Sequence, residues 1–178
     1  MIGVRRLGPD QWEQLRELRL AALAEAPYAF ASTLDRERDT PPEEWRERLR
    51  RIAWFVAYSD DEPAGLAAGT TWPDEVPDRR HLISMWVRPS HRGLGVAARL
   101  VDAVRDWAVD AGARELELWV ADGNEAAARV YARAGFVPTG VRQPLPSNPE
   151  IGEENWILAL TGTAPLDHAA PPAEKMPG

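Results

Sequence analysis

The 178-residue sequence contains no cysteine. This absence excludes disulfides, thiolate-bound metals and a cysteine nucleophile within the chain, and it is typical of cytoplasmic proteins. Long apolar runs are also missing, and the start of the chain lacks the apolar core of a secretory signal. We therefore expect a cytoplasmic protein with no membrane contact and no bound metal.

A basic excess is missing as well. The chain has 21 Lys and Arg against 28 Asp and Glu, a formal charge of −7. Nucleic-acid binding is disfavoured, because neutralising phosphates requires a basic face. An amine-bearing partner suits an acidic chain better, although net negative charge also simply maintains solubility. The composition leaves the oligomeric state open, a homodimer included.

The hydrophobic pattern predicts one α/β domain over residues 1–160. Strands are predicted at residues 2–7, 53–59, 64–72, 81–87, 115–120, 136–137 and 155–160, and helices near residues 9–27, 42–52, 92–111 and 124–134. Residues 28–42 are irregular and predict a loop that lines a pocket. Residues 139–153 are rich in Pro, Gly and Asn, which predicts a long loop. Residues 161–178 are rich in Pro and Ala, and we expect a flexible tail.

A glycine-bearing turn connects the strand that ends at Val87 to the following helix. Two residues of this turn, Gly93 and Gly95, lack a Cβ, so backbone N–H groups can close on an anion. The positive end of the helix dipole would favour a phosphate there. Glycines between a strand and a helix also serve packing alone, so the turn by itself leaves both interpretations open.

A second motif, NEAAARVYARAGF at residues 124–136, follows about thirty residues later. Asn124, Ala127 and Tyr131 share one helical face, because seven residues make almost two turns. Together the two motifs resemble the signatures of the GNAT superfamily of acetyl-CoA-dependent N-acetyltransferases. The first, R/Q-x-x-G-x-G/A, is matched by Arg92, Gly95 and Ala97, and the second, N-x-x-A-x-x-x-Y-x-x-x-G-F, by Asn124, Ala127, Tyr131, Gly135 and Phe136. The resemblance covers residues 2–160.

This resemblance implies a GNAT fold, in which a mixed, mostly antiparallel sheet is flanked by helices and two central parallel strands splay apart. Acetyl-CoA is then the cosubstrate, with its pantetheine arm along the strand end and its pyrophosphate on the glycine turn. The implied cofactor-binding residues are Met85, Trp86, Val87, Arg92, Gly93, Leu94, Gly95, Val96, Ala97, Asn124 and Tyr131. For Asn124, a plain helix N-cap is the alternative.

The implied reaction is direct transfer of the acetyl group to a primary amine in a ternary complex. The resemblance assigns Tyr131 as the acid, and a phenol is protonated at neutral pH. An N–H near Val87 would polarise the thioester carbonyl. His81 is the candidate base, and the alternatives are a solvated strand-end role for His81, a relay water held by Ser84, or a loop carboxylate, Glu37 or Glu153.

The acceptor would lie between the segments 28–42 and 139–153. The candidate substrate-binding residues are Tyr28, Phe30, Trp72 and Glu153; the aromatic ones have core packing as an alternative. We expect a small-molecule amine as acceptor. The alternatives are a protein N-terminus or lysine, or a CoA-binding sensor or scaffold without catalysis. A nucleotide-binding protein of another fold is disfavoured, because no G-K-[ST] follows the turn.

Overall fold

The computed structural model describes residues 1–72 and 76–160, so the predicted tail lies outside the described residues. The strands are β1 (Ile2–Arg6), β2 (Ala53–Ser59), β3 (Glu62–Thr70), β4 (Arg79–Val87), β5 (Glu115–Ala121), β6 (Val137–Leu145) and β7 (Asn148–Ala159). The helices are α1 (Trp12–Glu25), α2 (Leu34–Glu37), α3 (Pro42–Arg51), α4 (Val96–Asp110) and α5 (Glu125–Arg133). No helix within the described ranges is long and apolar enough to cross a membrane.

The described strands form one sheet in the order β1-β2-β3-β4-β5-β7-β6. The β4–β5 pair is parallel and the other neighbouring pairs are antiparallel. The expected mixed, mostly antiparallel sheet is therefore confirmed.

Both faces of this sheet are covered by helices, as the alternation along β2 illustrates. Phe55 packs in the core formed with α4 and α5, whereas Trp54 and Val56 pack in the core formed with α1 and α3. Successive side chains of a strand point to opposite faces, so a strand that is apolar at every position is buried on both sides. The sheet thus separates two apolar layers.

The central parallel strands stay together only briefly. Pairing between β4 and β5 ends at His81 and Glu117. Further along β4, the register against β3 shifts between Leu66 and Ala68, and Ser84 adopts a φ of 58°. One extra residue in a strand forms a bulge that bends it. The predicted splay between β4 and β5 is therefore confirmed.

The long loop predicted at residues 139–153 is wrong. These residues lie mostly in the hairpin of β6 and β7, joined at Pro146 and Ser147. One proline that suggested a loop, Pro144, lies on β6, which is the edge strand of the sheet. An edge strand has one side without ladder partners, so a missing N–H is tolerated there.

Candidate active site

A cavity of about 110 Å³ lies where β4 and β5 diverge. Arg19 of α1 and Phe30 line it together with Tyr131 of α5. Because α1 and α5 lie on opposite faces of the sheet, the cavity reaches through the sheet. A molecule bound on one face can therefore meet a molecule bound on the other.

The glycine turn forms an open main-chain cradle at the start of α4. Gly93 and Gly95 have φ values of 78° and 85°, and a Cβ at either position would meet nothing within 4 Å. The glycines are thus required by backbone conformation, since an L side chain is strained at such φ values. The N-cap of α4 is Gly95, which offers no side-chain cap to the first N–H groups of the helix. These donors fit an anionic group such as a pyrophosphate.

The Arg92 side chain points toward α1. Its Nη2 lies 2.6 Å from a Glu25 carboxylate oxygen, and its Nε donates to the Val87 carbonyl at 3.1 Å. The same glutamate accepts a bond of 2.9 Å from Nε1 of Trp86, whose ring packs in the α1 and α3 layer. The Arg92 guanidinium and the Trp86 side chain therefore contact Glu25 of α1. An anion at the glycine turn would be bound by main-chain N–H groups.

Tyr131 is buried and lines the cavity. Its ring packs edge-on against Phe136, with 5.8 Å between the ring centroids. Burial raises the pKa of the Tyr131 phenol, since the charged phenolate loses solvation. The hydroxyl is consequently protonated at neutral pH, as a proton donor requires.

Asn124 also lines the cavity, at the start of α5. Its side-chain oxygen accepts a hydrogen bond of 3.3 Å from the Ala127 N–H. The N-cap alternative is therefore confirmed. A contact between the Asn124 amide nitrogen and CoA is compatible with this cap and stays a prediction.

His81 lies in a buried polar cluster that lines the cavity where the pairing of β4 and β5 ends. It is 2% exposed, so the solvated strand-end alternative is wrong. Its Nδ1 lies 3.4 Å from Glu117 Oε1, and Arg79 Nη1 lies 3.3 Å from Glu117 Oε2. Burial raises the pKa of the Glu117 carboxyl, but His81, Arg79 and Asn155 together hold it below its usual value. The anionic Glu117 thus orients the imidazole.

The remaining predicted residues divide into two groups. Phe30, Trp72, Met85 and Glu153 line the cavity, whereas Tyr28 and Val87 do not, and Tyr28 is 51% exposed. Burial raises the pKa of the Glu153 carboxyl more than the hydrogen bond from Gln143 lowers it. Glu153 therefore faces the cavity as a carboxyl group that protonates more readily than usual.

Sequence reasoning missed Arg19, which is 1% exposed and lines the cavity. Its signal was present in the helical spacing of α1. Arg19 lies one turn after Leu15 and directly follows Leu18, both of which are fully buried. A charged side chain on the apolar face of a helix is almost never fully buried unless it is paired, and it marks a polar contact in the interior.

The comparisons with known proteins agree with this geometry. A model of the Acetyltransferase (GNAT) family matches residues 12–136. The chain belongs to this family. The yncA protein of Salmonella typhimurium, solved with its cofactor acetyl-CoA, has a TM-score of 0.73 at 20% identity, covering 97% of this chain and 99% of that one. A GNAT-family acetyltransferase from Streptococcus pneumoniae reaches a TM-score of 0.75 at 20% identity, covering 89% of this chain and 99% of that one. At these identities the likeness concerns the fold.

Curated GNAT relatives match over part of their length. The mycothiol acetyltransferase of Pseudarthrobacter chlorophenolicus is 37% identical over 127 residues, which cover 70% of this chain and 34% of the relative. The thialysine N-epsilon-acetyltransferase of Caenorhabditis elegans is 31% identical over 101 residues, covering 51% of this chain and 61% of the relative. The chain thus spans about a third to three fifths of the length of these relatives.

Proposed function

We propose that this protein is an N-acetyltransferase that moves the acetyl group of acetyl-CoA directly to a primary amine of a small molecule. The observation that carries the proposal is the cavity through the sheet, which joins the side of the α4 cradle to the side of α1. A cosubstrate on one face and an acceptor on the other would meet where β4 and β5 diverge. Relatives named for mycothiol, thialysine and streptothricin support a small acceptor.

Main-chain groups would hold the cosubstrate. The N–H groups from residue 93 to residue 97 suit the pyrophosphate, and the backbone of Met85 and Val87 suits the pantetheine arm as an additional strand. Acetyl-CoA would supply the acetyl group as a thioester. The N–H near Val87 would stabilise the carbonyl oxygen as it gains negative charge.

Side chains at the cavity would move the protons. His81, oriented by Glu117, would take a proton from the attacking amine as the C–N bond forms. Tyr131 would donate its hydroxyl proton to the departing thiolate as the C–S bond breaks.

Replacing His81 with Gln should lower kcat roughly 100-fold in steady-state assays, because the attacking amine loses its proton acceptor. An unchanged kcat would remove His81 from the base role.

A thiol-release assay with acetyl-CoA tests the acceptor class. The acceptors are polyamines, amino acids, amino sugars and short peptides, each at matched concentration. We expect release with one of the small-molecule amines. Release with peptides alone would reject the small-molecule class in favour of protein acetylation, and no release with any acceptor would favour a CoA-binding sensor.

A further inference from the structure

We propose that Arg19 forms an anion-binding subsite and that the acceptor is an α-amino acid, whose carboxylate this guanidinium binds. The inference rests on the proposed acetyltransferase function. It concerns the part of the cavity on the α1 side of the sheet, away from the α4 cradle.

The Arg19 guanidinium is held in a fixed orientation. Its Nε and Nη2 donate to the two carboxylate oxygens of Glu37 at 3.2 and 2.9 Å, and its Nη1 donates to the Ser84 hydroxyl at 3.1 Å. The Phe30 ring lies 5.1 Å from the guanidinium carbon. Because a guanidinium has five N–H donors in a rigid fork, these bonds leave an N–H on Nη1 and another on Nη2. Those two donors match the two oxygens of a carboxylate.

The charge around Arg19 favours an anion. The Glu37 carboxylate is shared with Arg48, whose Nη1 lies 2.8 Å away. Burial raises the pKa of Glu37, but Arg19, Ser32 and Arg48 together hold it below its usual value. One buried carboxylate thus faces two guanidinium groups, while Glu44, the other partner of Arg48, is 54% exposed and screened by water.

The position of Arg19 places this subsite near the reacting groups. Ser84, which accepts from Arg19, directly precedes Met85, where the pantetheine arm is proposed to run. The amine of an α-amino acid is separated from its carboxylate carbon by a single carbon. An acceptor held by Arg19 would therefore present its amine close to β4. Glu153 also lines the cavity and offers a carboxyl group to that amine.

Matched pairs of acceptors test the subsite with the unmodified protein. L-methionine, its amide and 3-(methylthio)propylamine form one set, and L-phenylalanine, its amide and 2-phenylethylamine form another. Because a hydrogen-bonded carboxylate is lost, we expect kcat/KM to fall roughly 10- to 100-fold from each acid to its amide and its amine. Equal rates within both sets would overturn the subsite and leave the acetyltransferase function standing.

Two variants separate the subsite from a structural role of Arg19. In Arg19→Met, the preference for acid over amine should vanish, mainly through KM for the acid. In Arg16→Met, which removes another guanidinium of α1 that donates to the Arg38 carbonyl and lies outside the cavity lining, the preference should remain. Loss of the preference in both variants would overturn the subsite. If Arg19→Met fails to fold, the acceptor sets alone decide the outcome.

Calorimetry covers the case in which no acceptor is acetylated, which would refute the proposed function. L-methionine and 3-(methylthio)propylamine are then titrated into the CoA-loaded protein. Binding of the acid alone, abolished in Arg19→Met, would uphold the subsite. Equal binding of acid and amine, or binding of neither, would overturn it.

Discussion

Two buried acidic groups, Tyr131 and Glu153, line the cavity at the residue scale. Burial raises the pKa of each group, because ionisation inside the protein forfeits solvation by water. For Tyr131 this keeps the hydroxyl protonated, as the proposed proton transfer to a thiolate requires. For Glu153 it makes the carboxylic acid harder to ionise and the carboxylate a better proton acceptor.

Removing the Tyr131 hydroxyl tests its role as the acid. We expect Tyr131→Phe to lower kcat roughly 100-fold, the lower end of what a positioned acid contributes, with little change in the affinity for CoA. Tyr58→Phe is the matched control, since Tyr58 is buried but donates to Gln14 outside the cavity lining. Steady-state kinetics with calorimetry on CoA measure both quantities, and an unchanged kcat in Tyr131→Phe would remove Tyr131 from the acid role.

Glu153 should make thermal stability depend on pH. Its folded-state pKa lies above the unfolded value, so ionisation costs stability as pH rises through the interval between the two. Glu153→Gln removes this cost, and we expect its Tm relative to wild type to be higher at pH 8 than at pH 4. Glu62→Gln on the exposed start of β3 is the control. A Tm difference that is the same at both pH values would contradict a raised pKa.

At the scale of the elements, two glycines with different roles flank α4. Gly95 at its start and Gly112 just beyond its end both have positive φ, 85° and 76°, and a Cβ at either meets nothing within 4 Å. Alanine should therefore strain both turns to a similar extent. Only the turn at Gly95 lies at the N-terminus of the helix, where anions are favoured.

Alanine variants of these two glycines separate an effect on stability from an effect on cofactor binding. We expect Gly95→Ala and Gly112→Ala each to lower the free energy of unfolding by about 1 to 2 kcal/mol, the cost of a left-handed L residue. CoA affinity should fall in Gly95→Ala and stay near wild type in Gly112→Ala. Urea unfolding and calorimetry on CoA provide the two readouts. Equal CoA affinity in both variants would argue against main-chain binding at the cradle.

The elements also show what the sequence could reveal. The starts of α4 and α5 could be predicted from local sequence. Gly93 and Gly95 favour a turn with positive φ, and Asn124 favours a helix N-cap. The β6–β7 hairpin was missed, since Pro144 is tolerated in a strand only through the edge position of β6 in the sheet. Arg19 and Glu37 are 18 residues apart and meet only when α1 and α2 pack together. Contacts set by tertiary packing could not be predicted from local patterns.

At the scale of the whole molecule, function depends on a sheet that is continuous except at its centre. Two apolar layers fix the helices on opposite faces, and the bulge at Ser84 and the end of pairing at His81 open the sheet between them. The cradle on α4 and the Arg19 side of the cavity are thereby held on opposite sides of one gap. The proposed direct transfer between two bound molecules would use this arrangement.

Isotope tracing tests acetyl transfer to an amine most directly. The protein is incubated with acetyl-CoA labelled in the acetyl group and with a pool of small primary amines, and products are identified by mass spectrometry. We expect the label in an N-acetylated amine, released together with free CoA and only in the presence of the protein. Label found in free acetate alone, or retained entirely in acetyl-CoA, would contradict acetyl transfer to an amine.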